Sequence, residues 1–74
     1  ENRDTDWGIS LLKLNTRLFP GDGNLWDSLG EGYYIINDRA KAVESFERAM
    51  ELGPETNCYW CENATKRLEE LNNK

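Results

Sequence analysis

Two amphipathic helical patterns lie back to back in residues 26–54, and they constrain the fold more than any other part of the sequence. In the first pattern, apolar and small residues recur at steps of three and four, which places them on one stripe of a helix with 3.6 residues per turn. The second pattern has similar steps and carries charged residues on its other face. The two stripes consist of Trp26, Leu29, Gly30 and Tyr33, and of Ala42, Val43, Phe46, Ala49 and Met50.

Short polar segments mark the ends of these helices. Asp38 is predicted to cap the second helix, because its carboxylate can accept hydrogen bonds from the free N–H groups of the first turn. Gly53 and Pro54 are predicted to end it, with Gly53 in the left-handed conformation and Pro54 unable to continue the hydrogen-bond ladder. Only two or three residues around Asn37 connect the helices. We therefore expect the helices to be antiparallel and in contact.

The spacing of these residues resembles the tetratricopeptide repeat, a helical hairpin of about 34 residues. The pattern W-x2-L-G-x2-Y, followed by A-x3-F, A and P, is matched by Trp26, Leu29, Gly30, Tyr33, Ala42, Phe46, Ala49 and Pro54. The resemblance implies an all-α fold of about four helices, in which antiparallel helix pairs stack as a right-handed solenoid. We expect a single domain over residues 1–74, with residues 23–56 as its complete repeat.

A further helix is predicted for residues 7–19, preceded by a frayed segment that ends at a cap on Thr5 or Asp6. Shifting the sequence by one repeat length aligns this helix with the second helix of the complete repeat, so it is interpreted as half of a partial repeat. Its apolar surface is wider than the narrow stripe that packing against a single neighbouring helix requires. We expect a docking face that packs on sequence of a larger parent protein or on a second copy as a homodimer, formed by Trp7, Leu11, Leu14 and Leu18.

The last helix is predicted to run from Cys58 to about residue 72, with its cap in residues 55–57. Trp60 follows Trp26 by one repeat length, and the end of the helix is strongly polar. Stacked repeats need a polar terminal helix to shield the last apolar face, so residues 57–72 are interpreted as a capping helix. The loop before the complete repeat is predicted to cap its first helix through Asp22 or Asn24.

Charge and composition argue against several classes of function. Nine basic and fourteen acidic residues give a net charge of −5, and the basic residues are scattered, which argues against nucleic-acid binding. No apolar run approaches the roughly 20 residues of a membrane span, and no signal peptide is visible. The chain has no histidine, the commonest general base and metal ligand. We therefore expect a non-enzyme without a cofactor or membrane contact. The compartment is left open by the sequence, with the cytoplasm slightly favoured.

Short helical repeats of this kind also resemble the C-terminal appendages of bacterial hydrolases, including beta-lactamase-like and peptidase-like proteins. The similarity is one of style and covers residues 11–34. It implies that the chain is the tail of a larger bacterial protein and carries no catalytic residue of that parent. A periplasmic location follows if the parent is secreted. A repeat segment from any multi-repeat protein is the alternative.

Cys58 and Cys61 form a CxxC pattern at the predicted start of the last helix. A helix N-terminus lowers the pKa of a thiol, so such a pair can carry out redox chemistry or bind metal. No predicted strand precedes the pattern, as it would in a thioredoxin-like site, and a structural zinc site needs four ligands. The sequence leaves three interpretations open: two structural cysteines, a reversible disulfide, or a zinc ion shared between two chains.

The resemblance to tetratricopeptide proteins also implies where a partner binds. In that family, the first helix of each pair lines a concave groove that receives an extended peptide or a helix. The corresponding positions here are acidic, which disfavours the C-terminal carboxylates that some family members bind. We expect a protein partner with a basic or apolar segment, anchored on Tyr34. The predicted groove residues are Asn24, Asp27, Ser28, Glu31, Tyr34, Ile35, Cys58, Cys61 and Glu62.

Overall fold

Four α-helices follow one another in the computed structural model, which describes residues 3–54 and 58–73, with side chains from Trp7 onward. They are α1 (Arg3–Leu18), α2 (Gly23–Ile35), α3 (Arg39–Glu51) and α4 (Cys61–Asn72). Each helix packs against the next one along the chain, and α4 also touches α2 along a narrower strip. No strand occurs in the described ranges, and the predicted all-α fold of packed helix pairs is confirmed.

Two aspartates fix the starts of α2 and α3. The carboxylate of Asp22 accepts a hydrogen bond of 3.0 Å from the backbone N–H of Asn24, and that of Asp38 accepts one of 3.3 Å from the N–H of Lys41. Between the helices, Asn37 has a φ of 64°, a left-handed conformation that asparagine tolerates. The caps at Asp22 and Asp38 and the short connection between α2 and α3 agree with the sequence-based prediction.

The starts of α1 and α4 differ from the prediction. α1 begins at Arg3, so Thr5 and Asp6 lie inside the helix and do not precede it as caps. No proline or glycine interrupts residues 3–6, and a polar segment can continue a helix without giving a periodic signal. α4 begins at Cys61, later than predicted, because the chain makes a turn between Cys58 and Cys61. The cap predicted in residues 55–57 lies outside the described residues.

Gly53, just beyond α3, is a glycine for a different reason than predicted. None of the glycines in the described ranges has a positive φ, so the left-handed conformation predicted for Gly53 is wrong. A Cβ atom at this position would lie 2.5 Å from the Sγ atom of Cys61 and 2.7 Å from that of Cys58. The sulfur atoms pack directly against the backbone here, so the position has no room for a side chain.

α2 and α3 approach each other closely in the core. A Cβ atom at Gly30 would lie 2.7 to 2.9 Å from three ring atoms of Phe46, which is completely buried. Ala42 and Ala49 on α3 are also completely buried, so small residues let the two backbones approach. The repeat pattern thus predicted much of the core, whose buried apolar side chains are Ile9, Leu29, Tyr33, Ala42, Phe46, Ala49, Ala64 and Leu71.

The two tryptophans that the repeat pattern aligns make similar hydrogen bonds. The indole N–H of Trp26 donates to the carbonyl oxygen of Pro20, and that of Trp60 donates to the carbonyl oxygen of Ala49, both at 3.0 Å. Each indole is half-buried, and its hydrogen bond connects the start of a helix to the segment that precedes that helix in the sequence. α2 and α4 are therefore anchored in comparable ways.

Gly8 and Gly30 both lie inside helices, but the same substitution should have opposite effects at the two positions. A Cβ atom at Gly8 would meet no atom within 4 Å. Gly8→Ala should therefore stabilise the fold by about 0.5–1 kcal/mol through helix propensity. Gly30→Ala should destabilise it by about 1–3 kcal/mol, because the buried ring of Phe46 must move. Urea denaturation measures the free energy of unfolding of both variants. A Gly30→Ala variant as stable as the native chain would contradict the close approach of α2 and α3.

Candidate functional site

A group of polar side chains lies where α4 meets α2, on the surface predicted to bind a partner. The side-chain amide of Asn63 donates hydrogen bonds to Asp27 at 3.1 and 3.4 Å and to Glu31 at 2.9 Å. The two carboxylates come from successive turns of α2, so they lie on the same face of that helix. A single amide on α4 therefore bridges two of the predicted groove residues.

Arg67 connects the remaining members of this group. Its Nε atom lies 2.7 Å from Oε2 of Glu31, and its Nη1 atom lies 3.0 Å from Oε1 of Glu70. The same guanidinium lies 4.3 Å from the centre of the Tyr34 ring, and the hydroxyl of Tyr34 donates to Glu70 at 3.1 Å. We call the whole set the polar cluster; it consists of Asp27, Glu31, Tyr34, Asn63, Arg67 and Glu70.

The polar cluster shifts the pKa values of its carboxyl groups in different directions. Burial has the largest effect on Asp27 and raises its pKa, partly offset by the hydrogen bond from Asn63. Burial also acts on Glu31, but the hydrogen bonds from Arg67 and Asn63 together outweigh it and lower the pKa. The hydrogen bond from Arg67 lowers the pKa of Glu70. The cluster therefore favours the charged forms of Glu31 and Glu70 and disfavours that of Asp27.

Three of the contacts in the polar cluster share one separation in the sequence. The pairs are Asp27 and Asn63, Glu31 and Arg67, and Tyr34 and Glu70, each 36 residues apart. This separation exceeds the repeat length of about 34 residues by about two. The prediction missed the three members on α4, although a search for polar residues at this spacing from the groove residues identifies all of them.

The other predicted groove residues have different surroundings. Asn24 lies in the first turn of α2 and Glu62 lies exposed in the first turn of α4. Ser28 and Ile35 lie on the side of α2 that faces α1. Tyr34 was predicted as an exposed aromatic anchor, but it is half-buried and already engaged by the polar cluster. The predicted surface is thus more internally paired than the sequence suggested.

A shallow cleft of about 280 Å³ separates α1 from α2. Ile9 is buried in it, Leu12 is half-buried, and Ile35 stands at its edge with 70% of its surface exposed. We call it the α1–α2 cleft; it is lined by Gly8, Ile9, Leu12, Ser28, Glu31, Gly32 and Ile35. Since Glu31 also belongs to the polar cluster, the apolar cleft and the charged surface are continuous.

The predicted docking face on α1 is exposed in the structure. The exposed fractions are 67% for Trp7, 45% for Leu11, 49% for Leu14 and 60% for Leu18. These side chains recur at steps of four, three and four, so they form one stripe along the helix. The buried residues of α1, Ile9 and Thr16, lie on another face. The described helices therefore leave the docking face open to solvent.

The two cysteines are joined by a disulfide between Cys58 and Cys61, so neither is a free thiol. A disulfide is one of the interpretations that the sequence left open. The paired state does not permit the shared zinc site, because metal binding requires deprotonated thiols. Both sulfur atoms lie close to the backbone at Gly53.

The side chains that the structure describes form no cluster of metal-ligating residues. Residues 7–54 and 58–73 contain no group of three or more cysteine, aspartate or glutamate side chains suited to metal binding. In the same ranges, every buried side-chain nitrogen or oxygen has a hydrogen-bond partner. As for membranes, no helix in the described part of the chain has both the length and the hydropathy for a bilayer crossing.

Comparison with known proteins gives a partial match. The chain is 40% identical over 48 residues to superkiller complex protein 3 of Homo sapiens. The matched segment covers 65% of this chain but only 3% of the length of the human protein. No protein-family model matches the chain, and no solved structure gives a significant match. With its packed helix pairs, the chain has a tetratricopeptide-like fold, and the comparisons support no narrower assignment.

Removing the charge of Arg67 should weaken the fold and change its response to acid. Arg67→Met loses the hydrogen bonds to Glu31 and should destabilise the chain by about 1 kcal/mol at neutral pH. In the native chain, Glu31 and Glu70 have pKa values lowered from 4.5, so they stabilise the fold above about pH 4.5. That contribution is lost as the pH falls through the lowered pKa values of Glu31 and Glu70. Asp27 acts in the opposite direction: its pKa is raised in the folded chain, so its protonation favours the folded state. Urea denaturation between about pH 7 and pH 3 measures the balance, and acid should destabilise Arg67→Met less than the native chain.

Arg48→Met provides the matched control. Arg48 pairs with Glu51 on the same helix at 2.9 Å, and the two side chains are 46% and 65% exposed. Since exposed pairs contribute little, this variant should keep the native pH dependence. If Arg67→Met also kept it, Arg67 would not control the ionisation of the polar cluster.

Proposed function

We propose that this chain is a non-catalytic protein-interaction module that binds an amphipathic segment of a partner in the α1–α2 cleft. The observation that carries the proposal is the position of the cleft. Its apolar surface lies between two helices and directly beside the acidic side chains of the polar cluster, with Glu31 common to both. A bound segment would place apolar side chains in the cleft and basic side chains along its charged edge.

The shape of the cleft favours a polypeptide segment over a small molecule. It is an open groove of about 280 Å³ between two helices, whereas small-molecule pockets usually enclose most of the surface of their ligand. Helices and extended peptides instead bind through a few apolar anchors at regular spacing. Leu12 and Ile35 offer apolar contacts from opposite sides of the cleft.

The charge of the neighbouring surface supports a basic partner. The polar cluster contains three carboxyl groups and one guanidinium, and the whole chain has a net charge of −5. Arg67 pairs with Glu31 and Glu70, which reduces the acidic character that the sequence predicted but does not reverse it. Complementary charge steers and orients a partner more than it adds to affinity.

The fold and the comparison support an interaction role. The helix pairs are tetratricopeptide-like, and the name of the human relative describes a member of a complex. The chain has no histidine, the commonest general base, which favours an interaction role over catalysis. Attachment to a bacterial hydrolase stays a prediction of the sequence.

The exposed docking face supports a second role in self-association or in docking to a parent domain. Trp7, Leu11, Leu14 and Leu18 form a contiguous apolar stripe that the described helices do not cover. Stripes of this kind mark contact surfaces on soluble domains. Two copies related by a two-fold axis would bury the same stripe on both sides.

A side chain placed in the cleft should weaken partner binding while leaving the fold intact. A helical-peptide library selected against the chain should yield segments that combine apolar anchors with lysine or arginine. Gly8→Leu should weaken these peptides by more than about tenfold, because the new side chain occupies open space in the cleft. Titration calorimetry with the selected peptides measures the loss.

Gly21→Leu is the matched control for this experiment. Gly21 also has no atom within 4 Å of its Cβ position, but it lies in the loop before α2 and does not line the cleft. The control should bind the peptides like the native chain. Selected peptides that bind Gly8→Leu and the native chain equally would place the binding site elsewhere.

A charge in the docking face should prevent self-association. Analytical ultracentrifugation at high concentration should show a dimer of the native chain. Leu14→Lys should raise the dissociation constant by about ten- to a hundredfold, since a Leu side chain contributes about 1.5–3 kcal/mol when buried. Asn72→Lys adds the same charge at an exposed position at the end of α4, which makes no contact with α1, and should have little effect. A native chain that stays monomeric at about 0.5 mM would contradict self-association.

A further inference from the structure

The start of α4 is held by the two cysteines and by Trp60, which lies between them at the N-cap position. The disulfide joins Cys58 to Cys61, the first residue of α4, and the backbone N–H of Cys61 donates to the carbonyl oxygen of Cys58 at 3.2 Å. Trp60 occupies the N-cap position and makes no side-chain cap hydrogen bond. A covalently closed turn over residues 58–61 therefore stands where other helices have a capping side chain.

Trp60 anchors this turn to the rest of the fold. Its indole N–H donates to the carbonyl oxygen of Ala49 on α3 at 3.0 Å. The indole also packs against the start of α2, where a Cβ atom at Gly23 would lie 2.7 Å from Nε1. A single side chain, held inside the disulfide turn, thus connects the beginning of α4 with both α2 and α3.

The first turn of α4 also carries part of the polar cluster. Asn63 lies two positions after Cys61 and donates to both Asp27 and Glu31. The position of Asn63 depends on where α4 begins, and the disulfide turn sets that beginning. The disulfide is therefore connected to the candidate binding surface through one turn of helix.

We propose that the disulfide between Cys58 and Cys61 is a redox-sensitive clamp that sets how firmly the first turn of α4 is held against α2 and α3. The reductant is a dithiol. One of its thiolates attacks a sulfur of the disulfide, the S–S bond breaks, and the other cysteine leaves as a thiolate that takes up a proton. The second thiol of the reductant then displaces the first cysteine, so the reductant becomes a disulfide and the protein holds two thiols.

The position of the disulfide suits this role. Both cysteines are half-buried and neither belongs to the hydrophobic core, so reduction does not require the core to unfold. After reduction, the two sulfur atoms no longer have to remain together against the backbone at Gly53, and the turn that carries Trp60 loses its covalent restraint. The clamp itself needs no partner. Its influence on partner binding rests on the proposed function.

Hydrogen–deuterium exchange of the full chain tests the clamp without a partner. The air-oxidised chain is compared with the chain reduced by dithiothreitol, with reduction verified by a mass gain of about 2 Da. Amides of residues 61–66 should exchange roughly tenfold faster after reduction, while those of α1 and α3 should not change. A Cys58→Ser/Cys61→Ser variant should behave like the reduced chain and should not respond to dithiothreitol.

A second variant separates the anchor from the disulfide. Trp60→Phe keeps an aromatic ring but lacks the N–H donor to Ala49. The amides of residues 61–66 should therefore exchange faster in this variant than in the native chain, even when the disulfide is intact. Three results would overturn the clamp: equal exchange of α4 in the two redox states, faster exchange in all four helices together, or two free thiols in the air-oxidised chain. None of these results bears on the cleft, which the peptide titrations test independently.

Discussion

The close approach of α2 and α3 at Gly30 is the constraint on which the rest of the structure depends. The ring of Phe46 fills the space that a side chain at Gly30 would need, so the two helices form one closely packed hairpin. α1 packs against α2, and α4 packs mainly against α3 and also touches α2. The α1–α2 cleft and the polar cluster both contain residues of α2, so each surface depends on how the hairpin holds that helix.

The hairpin could be predicted because its signals are local. Steps of three and four, a repeated 34-residue spacing and the aspartates at the helix starts identified α2, α3 and most of the core. The sequence patterns at the starts of α1 and α4 were weaker guides to where these helices begin. Polar residues lengthen α1 without a periodic pattern, and the disulfide turn delays α4 although Cys58 fits a helix by composition. Covalent and long-range constraints override local propensity at such positions.

Only the part of the candidate site that lies on α2 could be predicted from the sequence, for a related reason. Asp27, Glu31 and Tyr34 were found because the repeat register puts them on the outer face of α2. Their partners depend on how far α4 is displaced along α2, which local periodicity does not encode. The cluster therefore changes the character of the predicted groove: part of its acidic charge is satisfied internally, and the apolar cleft beside it becomes the more distinctive feature of the surface.

The central claim, that a partner segment lies in the α1–α2 cleft, is tested most directly by nuclear magnetic resonance. Glycine amides give well-separated signals, and Gly8 and Gly32 line the cleft whereas Gly21 and Gly53 do not. In a titration of the 15N-labelled chain with a selected amphipathic peptide, the account predicts large shifts for Gly8 and Gly32 and none for Gly21 and Gly53. Shifts confined to Gly21 and Gly53, with the cleft glycines unchanged at saturation, would contradict it.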